Sequence, residues 1–368
     1  MECDILIASP LGIKMQSERE ESTDLLSSIE IAVADGMDVM QMQNWEHVQV
    51  SFTSYNASIV TSKKTRANRQ YVFNHMNKIP KSPHGCDFSR VKPWYLDQQA
   101  QYLRQTILMS RYDTPEARSL FHRQCFNLEG KIRLENSALP GVLSTIRPGI
   151  KQVFERIDLA APGPKGLSGD AAVDEVEQRF KHFITNVGRT PHDLFPLIHL
   201  ADAYTQTVPA LQRSAISRQN TLIVVPSYFD FVRLIDHFRK DDKISYTSIS
   251  EYSSNSEISR ARTMFFKGKK SFMVVTERFH FYRRYKLRGA KTIVFYALPE
   301  HAQFYTEFME TPFLPGRNGN GDEVEVDVEE VSSRVLVSRF DALKLERVIG
   351  SQDARQILSR GDDRFVYA

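Results

Sequence analysis

The chain has 368 residues, of which 41% are hydrophobic and 25% are charged, and these values are typical of a globular protein with two domains. Its three cysteines, Cys3, Cys86 and Cys125, are too few and too dispersed for a disulfide framework or a zinc site. There is no signal-peptide pattern and no apolar run of about 18 residues, so we expect a soluble intracellular protein without a membrane segment.

The net charge of +3 conceals a strong segregation of charge along the chain. Residues 256–291 contain eleven Lys or Arg residues against two Glu residues, an excess of nine positive charges, whereas residues 321–330 are acidic. A basic segment of this kind is the electrostatic footprint expected of a protein that binds nucleic acid. The eleven basic residues are Arg260, Arg262, Lys267, Lys269, Lys270, Arg278, Arg283, Arg284, Lys286, Arg288 and Lys291.

The first predicted strand is the apolar run at residues 4–8, which leads into a turn at Ser9 and Pro10. A buried strand of a parallel sheet needs neighbours, so we expect the first domain to be incomplete at its amino terminus. After a polar insert, a second strand is predicted at residues 28–34, and residues 35–38 follow it directly.

Residues 35–38 resemble the signature motif in the first lobe of a DEAD-box RNA helicase. Asp35 and Asp38 occupy the two aspartate positions with Met37 beside them, but Gly36 stands where a helicase has the glutamate that positions the attacking water. The phosphate-binding motif Gly-x-x-x-x-Gly-Lys-Ser/Thr occurs nowhere in the sequence. The resemblance therefore implies an inactive nucleotide site without cofactor or metal, in which the two aspartates hold a turn.

The domain boundary is predicted between a third strand at residues 106–110 and a flexible segment rich in Pro, Gly and Ala. The predicted domains are residues 1–135 and 136–368. Surface insertions are predicted near residues 160–172 and 310–332.

The second domain repeats strands and helices in one rhythm, with apolar strands predicted at residues 221–225, 272–276 and 292–297. Continuous apolar strands that alternate with amphipathic helices are typical of a parallel sheet covered on both faces. The predicted fold class is α/β, with two RecA-like lobes of the DEAD-box helicase type, each a parallel sheet flanked by helices. Other predicted elements are helices near residues 173–186, 194–214 and 228–239, with a last strand and helix at 335–337 and 341–349.

Basic and aromatic residues are interleaved directly after the predicted strand at residues 272–276. In an open α/β sheet the carboxyl edge is where ligands bind, and arginine beside exposed rings suits a phosphate backbone with stackable bases. We expect a loop here that contacts RNA; the alternatives are a solvated loop whose rings pack on the core, and docking to an acidic protein surface. The candidate RNA-binding residues are Arg260, Arg262, Arg278, Arg283, Arg284 and Lys286.

Six short segments occur in order along the chain, at residues 42–48, 87–91, 104–106, 226–234, 259–262 and 276–282. Together they resemble the digestive-organ-expansion-factor family, helicase-like nucleolar proteins of the small-subunit processome. The resemblance to helicases adds Ser9, Pro10 and Thr276 to the implied RNA contacts. It also implies that residues 301–308 replace the helix that supplies arginine fingers, because this segment contains no arginine.

The family resemblance implies a non-catalytic RNA-associated scaffold, required for pre-ribosomal RNA processing and small ribosomal subunit biogenesis in the nucleolus. The implied partners are pre-ribosomal RNA, a small nucleolar ribonucleoprotein and other processome proteins. The alternative is an ATP-dependent RNA helicase of ribosome biogenesis whose phosphate-binding loop lies in a missing amino-terminal part.

Overall fold

A computed structural model describes residues 3–45, 48, 72–80, 87–136, 138–157, 170–186, 220–240, 244–314, 326–359 and 364–368. The chain divides into two compact units, Met1–Glu135 and Asn136–Ala368. Within the ranges given, no helix has the length and hydrophobicity needed to cross a bilayer. The predicted helix at 194–214 lies outside the described residues, as do most of the insertion near 160–172 and the middle of the one at 310–332.

The first unit is built on two parallel strands, β1 (Ile31–Ala34) and β2 (Gln105–Leu108), with Ile31 opposite Gln105. Ala34 at the end of β1 packs in a hydrophobic cluster with residues of the helices that follow each strand, among them Met37 and Leu120. Its helices are α1 (Pro10–Glu20), α2 (Met37–Asn44), α3 (Val72–His75), α4 (Pro93–Leu96), α5 (Ala100–Leu103) and α6 (Pro115–Gln124).

The predicted strand at residues 4–8 is absent from the structure, and this prediction was wrong. These residues have no ladder partner among the described strands, and the side chains of Ile5 and Ile7 are 78% and 93% exposed. An apolar run becomes a buried strand only where a neighbouring strand supplies hydrogen bonds and a covering layer. The sheet expected from three segments therefore contains only the second and third of them.

The second unit contains a seven-stranded sheet in the order β5-β6-β4-β7-β8-β3-β9. Its strands are parallel except β9, which pairs antiparallel with β3 at one edge. The predicted strands at 221–225, 272–276 and 292–297 all belong to this sheet, and the predicted α/β class is confirmed. The strands are β3 (Lys151–Arg156), β4 (Thr221–Val225), β5 (Tyr246–Ile249), β6 (Phe272–Thr276), β7 (Thr292–Phe295), β8 (Ser332–Val337) and β9 (Arg364–Tyr367).

Helices flank this sheet, and the central strands β4 and β6 are buried along their whole length. Their continuous burial explains why each strand has four consecutive apolar residues rather than one at every second position. The helices are α7 (Asp170–Asn186), α8 (Tyr228–Lys240), α9 (Asn255–Phe266), α10 (Glu277–Arg283), α11 (Ala302–Met309), α12 (Ala342–Ile349) and α13 (Ser351–Ser359).

Three strands were not predicted as strands from the sequence: β3, which lies between β8 and β9, and the two edge strands β5 and β9. β5 has only four residues, two of which are hydroxylic, and β9 also has only four. Edge strands are half solvated, so they do not require the continuous apolar pattern by which central strands are found.

A buried arginine joins α7 to the carboxyl ends of β7 and β8. The guanidinium of Arg179 donates to the backbone carbonyls of Tyr296 and Leu336, each at 3.1 Å. It also pairs with the carboxylates of Glu175 and Asp341, the latter at 2.5 Å. Although burial opposes its charge, the two carboxylates raise the pKa of Arg179, so the cation is held firmly in the interior.

Candidate nucleic-acid interface

The carboxyl ends of β5, β6 and β4 lie side by side, because these strands are neighbours in the sheet. Each is followed within a few residues by an exposed ring or a guanidinium. The rings of Tyr228 and Tyr252 are 4.9 Å apart, so the segments after β4 and β5 are in contact. We call this surface the aromatic-basic edge, and it consists of Phe229, Tyr252, Arg278, Tyr282 and Arg283.

The segment after β6 is the helix α10, and the prediction of a loop was wrong. Thr276 begins this helix as its N-cap, since its hydroxyl accepts the N–H of Phe279 at 3.2 Å. The same hydroxyl donates to the carboxylate of Glu251 at 2.7 Å, and Thr276 is 1% exposed. Both hydrogen bonds of this hydroxyl are made within the fold, so Thr276 is not among the proposed RNA contacts.

An open cleft of about 460 Å³ lies between the segments that follow β5 and β6. Tyr252 and Tyr282 line it with 70% and 48% of their surfaces exposed. The guanidinium of Arg278 lies 3.8 Å from the carboxylate of Glu251 and 5.8 Å from the centre of the Tyr282 ring. With Arg283 on its rim, the cleft combines two rings with two guanidiniums and one carboxylate.

Arg284 directly follows Arg283 in sequence, yet its side chain is directed to α11. Its backbone adopts the left-handed conformation that ends α10, with φ of 50°. Its guanidinium pairs with the carboxylate of Glu307 at 2.5 Å and lies 4.7 Å from the ring of Phe304. Partial burial opposes ionisation of Glu307, but hydrogen bonds from His280 and Arg284 outweigh this and lower its pKa. The charge of Arg284 is thus compensated within the second unit.

The basic segment 256–291 does not form one surface, because it passes between the carboxyl ends and the amino ends of the parallel strands. Lys269 and Lys270 lie between the end of α9 and the start of β6, and Lys291 immediately precedes β7. These three lysines are therefore at the amino ends of the parallel strands, opposite the aromatic-basic edge. Lys291 forms an ion pair with Glu330 there.

Three further predicted contacts lie along α9, between the two edges of the sheet. Arg262 donates to the backbone carbonyl of Lys286 at 3.1 Å and lies 4.8 Å from the centre of the Tyr285 ring. The Arg260 and Lys286 side chains are exposed. Arg262 therefore holds the chain after α10 against α9, whereas Arg260 and Lys286 are exposed to solvent.

A buried acidic side chain connects the helix that bears the aromatic-basic edge to the segment after β7. Glu277, the first residue of α10, is fully buried and accepts the backbone N–H of Glu300 and of His301. Burial raises the pKa of Glu277 to about 8, with a further contribution from the charge of Glu300. Glu277 thus ties the end of β6 to the segment between β7 and α11.

The other two predicted RNA contacts, Ser9 and Pro10, belong to the first unit. Ser9 is the N-cap of α1, with its hydroxyl accepting the N–H of Gly12 at 3.0 Å, and Pro10 is the first residue of the helix. The predicted turn is thus a helix start. Its cap accounts for the Ser-Pro pair without a ligand.

The residues at the DEAD-box positions form a tight connection between β1 and α2. Gly36 has a φ of +64°, Met37 is fully buried, and Asp38 accepts the N–H of Arg111 at 3.3 Å. Asp35 is exposed at the end of β1. Among the residues that the structure describes, no three His, Cys, Asp or Glu side chains are grouped as metal ligands would be.

The helix at the position of the arginine fingers, α11, is part of the hydrophobic core. Phe304, Tyr305, Phe308 and Met309 on this helix are all fully buried. The hydroxyl of Tyr305 donates to Gln152 on β3 at 2.8 Å. A helix packed in this way stabilises the sheet and presents no cation to a phosphate.

Sequence reasoning missed two members of the aromatic-basic edge, Phe229 and Tyr252. Phe229 is 86% exposed at the start of α8, where the helical pattern pointed instead to its neighbours. Tyr252 follows β5, and without that strand nothing in the sequence placed it at a carboxyl edge. For Phe229 the available signal was an aromatic residue off the apolar face of its helix, four positions after the end of β4.

Family models of known proteins match both units. A model described as "UTP25, NTP hydrolase-like domain" matches residues 1–70 and 66–132, and one described as "Utp25, C-terminal domain" matches residues 200–367. Of the solved structures, a Saccharomyces cerevisiae Dbp5 variant bound to RNA and ADP BeF3 has 11% identity and a TM-score of 0.34, over 92% of this chain and 79% of that one. The yeast DEAD-box splicing factor Prp28 has 14% identity and a TM-score of 0.29, over 91% and 51%.

Several related proteins are similar to the chain over nearly its whole length. U3 small nucleolar RNA-associated protein 25 of Schizosaccharomyces japonicus is 36% identical over 353 residues, which is 95% of this chain and 46% of the relative. The protein of the same name from Schizosaccharomyces pombe is 34% identical over 95% of this chain and 45% of the relative. The chain thus spans about half the length of these relatives. Because the two domain models and these relatives agree, and because together they cover most of the residues, the chain belongs to the Utp25 family.

Proposed function

We propose that this protein is a non-catalytic, RNA-associated scaffold of the small-subunit processome, acting in pre-ribosomal RNA processing and small ribosomal subunit biogenesis in the nucleolus. Its proposed partners are pre-ribosomal RNA, a small nucleolar ribonucleoprotein and other processome proteins. The names of the relatives, which describe them as associated with U3 small nucleolar RNA, support this proposal. The resemblance to the digestive-organ-expansion-factor family points to the same assembly.

The observation on which the RNA contact rests is the cleft at the carboxyl ends of β5 and β6. Arg283 stands on its rim, and among the described residues no carboxylate pairs with it. Contacts between guanidiniums and phosphates fix the position of an RNA without reading its sequence. Such a contact suits a protein that holds RNA in an assembly.

The absence of catalysis is proposed from three features of the chain. The sequence contains no phosphate-binding loop motif, Gly36 takes the place of a water-positioning glutamate, and α11 is packed in the core. Loss of one arginine finger alone costs about 10³- to 10⁵-fold in rate. An active ATPase would need all of these parts at once.

An ATP-dependent RNA helicase is the second candidate. The match of residues 1–132 to a domain described as NTP hydrolase-like favours it, as does the length of the relatives, which is about twice that of the chain. A phosphate-binding loop in the part of a longer protein that precedes these residues would support it.

One binding assay and one turnover assay separate these candidates. The full-length protein, with any segment that precedes these residues, is titrated with a fluorescent oligouridine of about 15 nucleotides at several salt concentrations, and phosphate release from ATP is measured with and without this RNA. We expect salt-dependent binding, weakened in Arg283→Ala and unchanged in the control Lys269→Ala at the opposite edge, with no phosphate release above background. RNA-stimulated turnover would favour the helicase, and lack of RNA binding would contradict the proposed contact.

A further inference from the structure

Three exposed aromatic rings stand at the carboxyl ends of three neighbouring strands. Phe229 follows β4, Tyr252 follows β5, and Tyr282 lies on α10 after β6, with exposed fractions of 86%, 70% and 48%. A single exposed ring on a protein surface needs no explanation. Three exposed rings at adjacent strand ends, two of them lining one cleft, are more than single rings scattered over a surface.

The two rings that line the cleft, Tyr252 and Tyr282, each contact another aromatic ring. Tyr252 meets Tyr228 edge to face, with ring planes at 73°, and Tyr228 in turn stacks on Phe231 of the hydrophobic core at 5.9 Å. Tyr282 contacts the ring of Phe281 at 5.1 Å. The parts of Tyr252 and Tyr282 that line the cleft remain open to solvent. Rings that are fixed in this way lose little conformational entropy when a planar group stacks on them.

Positive charge accompanies the rings and limits the kind of ligand. Arg278 is oriented by Glu251, whose carboxylate is itself fixed by the hydroxyl of Thr276. Arg283 contributes a second guanidinium at the rim of the cleft. A ligand that stacks on the rings and also pairs with the guanidiniums has planar groups linked by anionic groups. An unpaired nucleic-acid strand has this chemistry, whereas in a duplex the faces of the bases are already stacked on each other.

From this geometry we propose that the aromatic-basic edge binds single-stranded RNA by stacking unpaired bases on Tyr252 and Tyr282, with Arg283 at the adjacent phosphate. This proposal rests on the RNA-associated function proposed above and specifies the form of RNA that the edge takes. Stacking is tolerant of sequence because every base has a flat face. The edge therefore selects for the absence of pairing rather than for a base sequence.

The test measures the affinity of the full chain for three probes of equal length. The probes are oligouridine of about 15 nucleotides, the same backbone without bases, and a duplex RNA. Wild type should bind oligouridine more tightly than either of the other probes. Removal of a stacking ring typically weakens binding about 5- to 150-fold per base. The double variant Tyr252→Leu, Tyr282→Leu should therefore bind oligouridine at least about tenfold more weakly, with the abasic backbone almost unaffected.

Control variants separate stacking from charge and from folding. Phe266→Leu replaces a partly exposed ring at the end of α9 and should leave all three affinities unchanged. Arg283→Ala should weaken oligouridine and the abasic backbone alike. Equal affinity of wild type for oligouridine and the abasic backbone, or an unchanged affinity of the double tyrosine variant for oligouridine, would overturn the stacking proposal and leave RNA association intact. If no RNA probe binds but an acidic peptide does, both proposals fail and the edge is a protein-docking surface.

Discussion

The carboxylate of Glu277 accepts the backbone N–H of Glu300 through both of its oxygens, at 2.9 and 3.1 Å. The side chain of Glu300 points away to Lys344 and Arg347 on α12. One fully buried acid thus connects the helix that bears the aromatic-basic edge to the segment after β7. Because it is buried, this acid is also a site at which folding and protonation are linked.

Glu277→Gln should change how stability depends on pH. The pKa of Glu277 is raised from an unfolded value near 4.5 to about 8, so the folded state binds the proton more tightly. This contribution to stability is complete below about pH 4.5 and is lost as the pH rises to about 8, at up to roughly 1.4 kcal/mol per pH unit. Glutamine keeps the acceptor oxygen but cannot ionise, so the variant should gain stability relative to wild type as the pH rises.

Urea unfolding of both proteins between about pH 5 and 9 measures this difference. Glu329→Gln, at an exposed position, should follow the pH dependence of wild type. Parallel curves for wild type and Glu277→Gln would mean that Glu277 is ionised in the folded protein at pH 5.

Arg179→Leu should cost about 3–5 kcal/mol of unfolding free energy, because it leaves the buried carboxylates of Glu175 and Asp341 without their cation. Arg179→Lys should recover little of this loss, since an ammonium cannot also reach the carbonyls of Tyr296 and Leu336. The measurement is again urea unfolding. Lys181→Leu on the same helix, which removes an exposed pair with Glu177, is the control and should leave the midpoint unchanged. Equal midpoints for Arg179→Leu and the control would show that the buried cluster does not stabilise the fold.

The central strands could be predicted from the sequence because the apolar pattern that indicates a buried strand lies within each strand's own residues. Every residue of β4 and β6 is buried, so each strand contains an uninterrupted run of four apolar residues. The same reasoning failed for residues 4–8, whose apolar pattern is similar but which have no partner strand among the described residues. Local pattern identifies a segment that could be a strand, and pairing decides whether it is one.

The candidate site was only partly predictable, because sequence neighbours are separated by the topology. Lys270 and Arg278 are eight positions apart, but β6 lies between them and places them at opposite edges of the sheet. Tyr252 and Arg278 are distant in sequence, yet they line one cleft because β5 and β6 pair in parallel. Neither fact can be obtained without the strand order.

Gly36→Glu should destabilise the first unit and should not create an ATPase. The φ of +64° at this position suits glycine, so a side chain there costs about 1 kcal/mol or more. Gly36→Ala should show the same loss without a carboxylate, and Gly36→Asn should lose less because asparagine tolerates this conformation. Urea unfolding tests the predicted loss of stability, and RNA-stimulated phosphate release tests the predicted absence of ATPase activity. Turnover in Gly36→Glu that is absent from Gly36→Ala would contradict this prediction, because it would mean that the other parts of a nucleotide site are in place.

Arg283 and Arg284 are adjacent in sequence but should differ in their effect on RNA binding. Arg283 is exposed at the cleft, whereas Arg284 is paired with Glu307 and packed near Phe304. For single strands, each neutralised phosphate contributes about −0.7 to the slope of log affinity against log salt. Arg283→Ala should therefore make the slope less steep by about 0.7, while Arg284→Ala should leave it close to that of wild type.

Arg284→Ala should instead act on the fold, because it removes the guanidinium that pairs with Glu307 and leaves this carboxylate with its hydrogen bonds to His280 and Gln303. We expect a lower melting temperature for Arg284→Ala and an unchanged one for Arg283→Ala. The full chain, titrated with oligouridine at salt concentrations from about 50 to 200 mM and melted in parallel, provides both measurements. Equal changes of slope in the two variants would contradict this prediction. They would mean that Arg284 separates from Glu307 and contacts RNA as Arg283 does.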